Sequence, residues 1–329
     1  MIYIVTGSTG FVGNNVVKKL EASGQKVIAF AQSGEKAAKA LGNTEAKLLF
    51  GNIKRPENIE RLFDECYGEK NVCFIHTASV VYLGRNRKKL AQMREINIKC
   101  TKNIIEACLE HKCRLLYVSS VHAIKENPKR EVITETENFD PKKVVGHYAK
   151  TKAEASRLIM EAVKERGLDA VIVHPSGIIG INDYSDTHLT QMVADYRSGR
   201  IPACTGGGYD FVDVRDVADG IIAAAAKGKA GDCFLLTNKF YSARELFNIL
   251  YELGAGKKVR LKLPLWMAYM GLPFLGVYFK LRNRRPLYTA YSLYTLKSNG
   301  NFSHEKATRE LGYNPRSLRE SIQDMLEEN

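Results

Sequence analysis

Short apolar runs alternate with longer amphipathic stretches along most of this sequence. Short runs between turn residues are typical of parallel strands buried on both faces, and apolar stripes at helical spacing are typical of the helices that cover them. The runs predict strands at 2–6, 26–31, 46–50, 72–76, 115–119, 170–174 and 233–236. The stripes predict helices at 12–23, 56–65, 88–111, 148–166, 214–227 and 243–253. This order predicts an α/β fold built on a doubly wound parallel sheet.

Three glycines follow the first predicted strand. Gly7 would permit a tight turn, Gly10 would let a pyrophosphate approach the backbone, and Gly13 would let the next helix pack closely. The amides at the start of that helix would hold the phosphates. A strand before the glycines and an amphipathic helix after them favour a dinucleotide site over a plain turn. The predicted contacts are Gly7, Thr9, Gly10, Phe11, Val12 and Gly13.

The length of 329 residues suits one large or two modest domains. The composition shifts after Gly177 and again after Tyr241. We therefore predict a Rossmann nucleotide-binding domain at 1–177 plus about 209–241. The remainder, about 178–208 plus 242–329, would form a smaller, discontinuous substrate-binding domain.

The end of the second predicted strand bears on the choice of cofactor. An acidic side chain there would bind the ribose hydroxyls of NAD, and an arginine would favour the phosphate of NADP. Gln32 is neither, but Ser33 and Lys36 offer a weak phosphate site. The sequence therefore favours NADP, with NAD as the alternative.

Two further strand ends carry candidate cofactor contacts. Asn52, followed by Ile53, either bonds an adenine edge or serves as an ordinary turn residue. In the segment Thr77, Ala78, Ser79, the small Ala78 stands where backbone passes the phosphates. His76 just before it is expected to be a hydrogen-bonded histidine at a strand end and not a catalyst.

Candidate chemistry comes from residues that a parallel sheet brings to one edge. Tyr148 and Lys152 stand four apart on a predicted helix and share a face, and Ser120 follows the fifth strand. A phenol ionises near pH 10, and a nearby ammonium lowers its pKa. We predict that Lys152 lowers the pKa of Tyr148 and reaches the nicotinamide ribose, while Ser120 donates to the reacting oxygen. Nicotinamide would carry the hydride.

The charge and cysteine content narrow the function classes. The net charge is +13, and residues 253–304 contain nine basic and no acidic residues. Aromatic residues there are grouped in apolar runs and not interleaved with charges, so nucleic-acid binding is not expected. The seven cysteines form no Cys-x-x-Cys pair or metal-ligand spacing and are expected to be buried. The first strand begins at residue 2, which leaves no room for a leader, so we expect a cytoplasmic protein.

The apolar segment 263–279 lies within the basic region. It contains two prolines and two glycines, so a membrane-spanning helix is not favoured. We favour an apolar substrate lid or dimer surface, and the alternative is a weak membrane-surface contact through 257–285.

The segments 6–13, 97–103, 118–120, 148–152, 174–177 and 211–218 together resemble an extended short-chain dehydrogenase/reductase of the NAD-dependent epimerase/dehydratase superfamily. The segment 296–315 is similar to the end of 3β-hydroxysteroid dehydrogenases and dihydroflavonol reductase-like proteins. The resemblance implies that Ser120 is the catalytic serine, with Ser119 as the alternative, and that Pro175 and Ile178 lie along the nicotinamide. It also implies that Asn97 anchors the loop after the fourth strand, and the alternative for Asn97 is a purely structural role. It also implies a homodimer formed through the helices at 88–111 and 148–166.

The sequence departs from the family pattern at Gln32 and Asn52, and also where His174 replaces a common arginine, which we expect to change packing more than chemistry.

Three functions are consistent with these residues. We favour an NAD(P)-dependent oxidoreductase that interconverts a secondary alcohol and a ketone on a hydrophobic, steroid-like or flavonoid-like small molecule. The alternative is a nucleotide-sugar epimerase or dehydratase with the same triad and tightly held NAD. A protein that only senses the cofactor is least favoured, because Ser120, Tyr148 and Lys152 are all present.

Overall fold

The structure is a computed structural model that describes residues 1–69, 71–127, 131–185, 187–272 and 289–328. A seven-stranded parallel sheet forms its centre, in the order β10-β6-β5-β4-β1-β2-β3. Its strands are β1 (Ile2–Thr6), β2 (Lys26–Ala31), β3 (Lys47–Phe50), β4 (Val72–His76), β5 (Arg114–Val118), β6 (Ala170–Pro175) and β10 (Cys233–Leu236). The predicted doubly wound sheet is therefore confirmed, with strand bounds within one residue of those expected.

Both faces of the sheet are buried. Along β1, Ile2 and Ile4 pack into one hydrophobic cluster, whereas Tyr3 and Val5 pack into another. Successive side chains of a strand point to opposite faces, so an unbroken apolar run is what a sheet covered on both sides requires.

Helices cover the two faces. The described helices include α1 (Phe11–Ala22), α2 (Gly34–Leu41), α3 (Pro56–Asp64), α4 (Arg87–Arg94), α5 (Thr101–Glu110), α6 (His147–Arg166), α7 (His188–Arg197), α8 (Val214–Lys227), α9 (Ala243–Glu252), α10 (Ala290–Lys297), α11 (Glu305–Leu311) and α12 (Leu318–Glu328). The sequence did not predict α2, α7, α10, α11 or α12. Each is short, and helices of this length depend more on tertiary packing than on their own pattern.

The helix predicted at 88–111 is interrupted. A π-helical turn at Glu95–Cys100 joins α4 to α5. Such a turn inserts one residue into the helical repeat and often occurs at functional sites. The predicted helix is therefore present, but as α4 and α5 joined by a π-helical turn.

Two small sheets lie beyond the main one. One has the order β11-β9-β7, and the other pairs β12 with β8. Their strands are β7 (Gly177–Ile179), β8 (Ala203–Thr205), β9 (Gly208–Asp213), β11 (Lys239–Ser242) and β12 (Leu261–Leu263). β7, β9 and β11 lie close to the predicted domain boundaries, and the division into two domains stays a prediction.

Only part of the apolar segment 263–279 is described. Residues 265–272 are helical, and Trp266 and Met270 are 63% and 66% exposed. Residues 273–288 lie outside the described residues, so the lid, the dimer surface and the membrane contact through 257–285 stay predictions. No helix in the described ranges is both long and apolar enough to cross a bilayer. All seven cysteines are buried free thiols, as expected.

We predict that Gly13→Ala destabilises the protein by about 1–3 kcal/mol, because its new methyl group would overlap the Gly7 carbonyl oxygen. Urea unfolding followed by circular dichroism measures the effect. Gly34→Ala is the matched control, since a Cβ there meets no atom within 4 Å. Equal stability of the two variants would contradict the close packing of α1 on the loop.

Candidate active site

The glycine loop between β1 and α1 has the shape needed for a group that approaches its backbone closely. Gly7 has a φ of +74°, in the left-handed region that glycine adopts easily. A Cβ on Gly7 would lie 2.6 Å from the amide nitrogen of Ala78. The first turn of α1 contains no acidic residue, so no carboxylate competes for its free amides. The loop therefore fits the pyrophosphate of a dinucleotide.

The adenosine end of the predicted site is less distinctive. Gln32 is exposed just beyond β2. The side-chain oxygen of Asn52 accepts a hydrogen bond from the Lys54 amide at 3.1 Å, which is an ordinary turn interaction. Ile53 packs against the hydrophobic core. An adenine contact by Asn52 and a ribose contact by Gln32 stay predictions.

Asn97, in the π-helical turn, holds the loop after β4. Its side-chain oxygen accepts from the Val80 amide at 2.8 Å, and its amide nitrogen donates to the Val80 carbonyl at 3.0 Å. The same nitrogen donates to the Thr151 hydroxyl at 3.0 Å. Thr77 ties the loop to β1 through a 2.8 Å bond to the Thr6 carbonyl. The anchoring that the resemblance implies is thus present.

Tyr148 lies in the first turn of α6, beside Ser120. Burial raises the pKa of Tyr148 to about 12, although hydrogen bonds with Ser120 and Ser79 act to lower it. The Ser119 hydroxyl instead pairs with that of Ser156 at 2.8 Å, inside the protein. Ser120, and not Ser119, is therefore the serine that contacts the phenol.

Lys152 is buried behind Tyr148. Its Nζ donates to the Val118 carbonyl at 2.7 Å and to the Tyr117 hydroxyl at 3.3 Å. Burial lowers the pKa of Lys152 to about 7. The expected lowering of the Tyr148 pKa by Lys152 is not found here, because burial outweighs the opposing interactions and the ammonium donates to other groups.

His76 is a satisfied histidine, as predicted. Its Nδ1 lies 2.8 Å from the Thr6 hydroxyl and its Nε2 lies 3.2 Å from the Thr101 hydroxyl. Burial, with a smaller effect from Lys152, lowers the pKa of His76 to about 3. The ring is therefore neutral and structural.

His174 supports Ser120 from below. Its Nδ1 lies 3.0 Å from the Ser120 carbonyl oxygen, and since a carbonyl only accepts, this nitrogen carries the proton. The ring stacks on Phe139 with centroids 5.3 Å apart. Burial lowers the pKa of His174 to about 4. From the sequence we expected His174 to affect packing more than chemistry. In the structure it packs on Phe139 and also donates a hydrogen bond to the backbone of Ser120, a candidate catalytic residue.

Pro175 is the last residue of β6, and Ile178 lies in β7. Pro175 pairs with Leu236 of β10, and Ile178 pairs with Val212 of β9. Their contact with nicotinamide stays a prediction.

The model of the "NAD dependent epimerase/dehydratase family" matches residues 3–237, which is more than half of the chain. The chain belongs to this family. It is an enzyme, a short-chain dehydrogenase/reductase of the extended type that depends on a nicotinamide dinucleotide.

Similar proteins cover nearly all of this family member. "Sterol demethylase protein B" of Methylococcus capsulatus is 29% identical over 99% of this chain and 97% of its own length. A "Putative dihydroflavonol 4-reductase" of Synechocystis is 26% identical over 98% and 93%. The crystal structure of gox2253 matches with a TM-score of 0.82 and 27% identity, over 99% of this chain and 97% of that one.

Three aromatic residues near Tyr148 were not identified from the sequence. His122 follows Ser120 by two residues, Tyr209 comes from β9 and Tyr291 from α10. The His122 ring lies 5.6 Å from that of Tyr209 and 5.7 Å from that of Tyr291. His122 lies two residues after Ser120, so the sequence could have indicated it. Tyr209 and Tyr291 are distant in sequence, and only the tertiary fold brings them to the site.

We predict that Lys152→Met raises the melting temperature by about 5 °C at about pH 6. The folded-state pKa of Lys152, about 7, lies below the ordinary value of 10.5, so burying its charge costs stability at low pH. That cost falls as pH rises from about 7 toward 10.5, so the gain of the variant should shrink there. Calorimetry across this range measures it.

Lys150→Met, an exposed position on the same helix, is the control and should show no such trend. A melting-temperature difference for Lys152→Met that stays constant with pH would contradict the buried ammonium.

Proposed function

We propose that this enzyme interconverts a secondary alcohol and a ketone on a hydrophobic small molecule, with Tyr148 as acid and base. The observation that carries the proposal is that Ser120 lies close enough to Tyr148 to act on the pKa of its phenol, at the carboxyl edge of the sheet beside the glycine loop. This is the edge where open parallel sheets bind ligands.

Ser120 and Tyr148 would both donate hydrogen bonds to the carbonyl oxygen of a bound ketone. A reduced nicotinamide supplies the hydride when it is bound. As charge develops on the oxygen, Ser120 stabilises it and Tyr148 transfers its proton. The pKa of Tyr148, about 12, keeps the phenol protonated at neutral pH, which suits reduction. Lys152 would hold the ribose, while Thr9 and Gly10 would lie at the phosphates.

Two observations support an apolar substrate. The similar proteins carry names that refer to a sterol and a dihydroflavonol, both ring systems with oxygen substituents. The rings of His122, Tyr209 and Tyr291 form an aromatic wall near Tyr148. A wall of this kind suits a ring system better than a charged diphosphate.

Replacing Tyr148 by Phe should lower turnover of a ketone by at least about 100-fold, because the proton donor is lost. Cofactor affinity should change little. Turnover is followed by nicotinamide absorbance, and affinity by quenching of protein fluorescence. Tyr67→Phe, 96% exposed, is the control. Retained turnover in Tyr148→Phe would refute the assignment.

The alternative is a nucleotide-sugar epimerase or dehydratase with the same triad. The name of the family refers to epimerases and to dehydratases. Such a reaction returns the hydride within one cycle and therefore requires the cofactor to stay bound, whereas a reductase must exchange it.

Identifying the nucleotide that purified protein releases on denaturation separates the two functions. We expect little retained cofactor and tighter binding of NADPH than of NADH, since no acidic side chain stands at Gln32 to bind the ribose hydroxyls. Near-stoichiometric NAD would favour the epimerase or dehydratase and refute the NADP preference.

A further inference from the structure

Within the described part of the chain, one hydroxyl group of the aromatic wall is buried without a hydrogen-bond partner. The Tyr209 hydroxyl lies 2.8 Å from His122 Nε2, and the Tyr294 hydroxyl donates to Glu126 at 3.2 Å. The Tyr291 hydroxyl oxygen is buried, and no residue in the described ranges bonds it. A buried hydroxyl without a partner lowers the stability of the protein, because its hydrogen bonds to water are lost and not replaced. Such a cost is recovered when a ligand supplies the partner.

The Tyr291 ring packs against the start of the catalytic helix, α6. Gly146, which precedes α6, has a φ of +98°, and a Cβ there would overlap the Tyr291 ring. Tyr291 itself is the second residue of α10, whose start is fixed by reciprocal bonds between Thr289 and Ser292. The Tyr291 ring therefore packs on the backbone of Gly146, two residues before Tyr148.

The His122 ring lies close to the rings of both Tyr291 and Tyr148. Its ring centroid lies 6.5 Å from that of Tyr148 and 5.7 Å from that of Tyr291. Burial raises the pKa of Tyr291, and the neighbouring Tyr148 raises it further. The Tyr291 phenol therefore stays protonated at neutral pH and can donate a hydrogen bond. Burial lowers the pKa of His122 to about 4, so the ring is neutral.

We propose that Tyr291 forms a second recognition point, which donates a hydrogen bond to a neutral oxygen substituent next to the reacting carbonyl of the substrate. This inference rests on the proposed function, because it takes Tyr148 and Ser120 as the groups that bind the carbonyl. The substrate class is thereby narrowed from ketones in general to hydroxy ketones and their diol products.

The electrostatics of the wall favour a neutral oxygen over an anionic one. Glu126 accepts from Tyr294, and its charge also acts to raise the pKa values of Tyr291 and Tyr209. The same carboxylate would repel a carboxylate or phosphate on the substrate. His122 is neutral and offers no compensating charge.

The test compares two ketones with the same apolar tail, 4-pentylcyclohexanone and its 2-hydroxy derivative. Their dissociation constants are measured by calorimetry on protein saturated with oxidised cofactor. Because oxidised cofactor has no hydride to give, the ketone binds and is not reduced. We expect the hydroxy ketone to bind about tenfold more tightly, the effect of one hydrogen bond to a buried donor. Tyr291→Phe should remove this preference, so that the two ketones bind with similar affinities.

Tyr294→Phe is the matched control, one turn along α10, because its hydroxyl already has a partner in Glu126. It should keep the preference. Equal affinities in the native protein, no effect of Tyr291→Phe, an equal loss for both ketones, or binding of neither ketone would each overturn the proposal. A confirmed preference without turnover when reduced cofactor is supplied would instead refute the proposed function alone.

Discussion

The hydrogen bond from Lys152 to the Val118 carbonyl joins the catalytic helix to the central sheet. At 2.7 Å it ties the first turns of α6 to the last residue of β5. Ser120 follows that strand by two residues, and Tyr148 precedes Lys152 by one helical turn. The single bond therefore helps to set the distance between the two hydroxyl groups on which the chemistry depends. The protein maintains this bond although burial lowers the pKa of Lys152 to about 7.

Two groups of residues lie near this bond, and they come from different parts of the chain. Behind it, His76, Thr6 and Thr101 form a buried chain of short polar contacts within the Rossmann part of the fold. In front of it, Tyr209 and Tyr291 come from β9 and α10, which are distant in sequence. The first group is a buried polar support. In the proposed function, the second group faces the substrate and determines selectivity.

Much of this arrangement could be predicted because local patterns encode it. Apolar runs covered on both faces identify parallel strands, and β1, β2, β4 and β10 begin and end where expected. The glycine spacing predicts the loop between β1 and α1, and the four-residue spacing of Tyr148 and Lys152 predicts that they share a helix face. The pKa of Tyr148 could not be predicted in the same way, because it depends on burial, which no local pattern reports. Tyr291 was missed for the same reason: its role arises from contact with Gly146, 145 positions earlier in the chain.

The π-helical turn at Glu95–Cys100 alters the outer surface of its helix as well as the inner one. Each residue advances an α-helix by about 100°, so one inserted residue rotates all that follows by roughly that angle. Residues that share a face across this turn are therefore one position further apart in the sequence than in an uninterrupted α-helix. Asn97, which holds the loop after β4, lies within the turn. A stripe of residues taken at constant helical spacing through α4 and α5 would therefore leave one face of the helix where Asn97 stands.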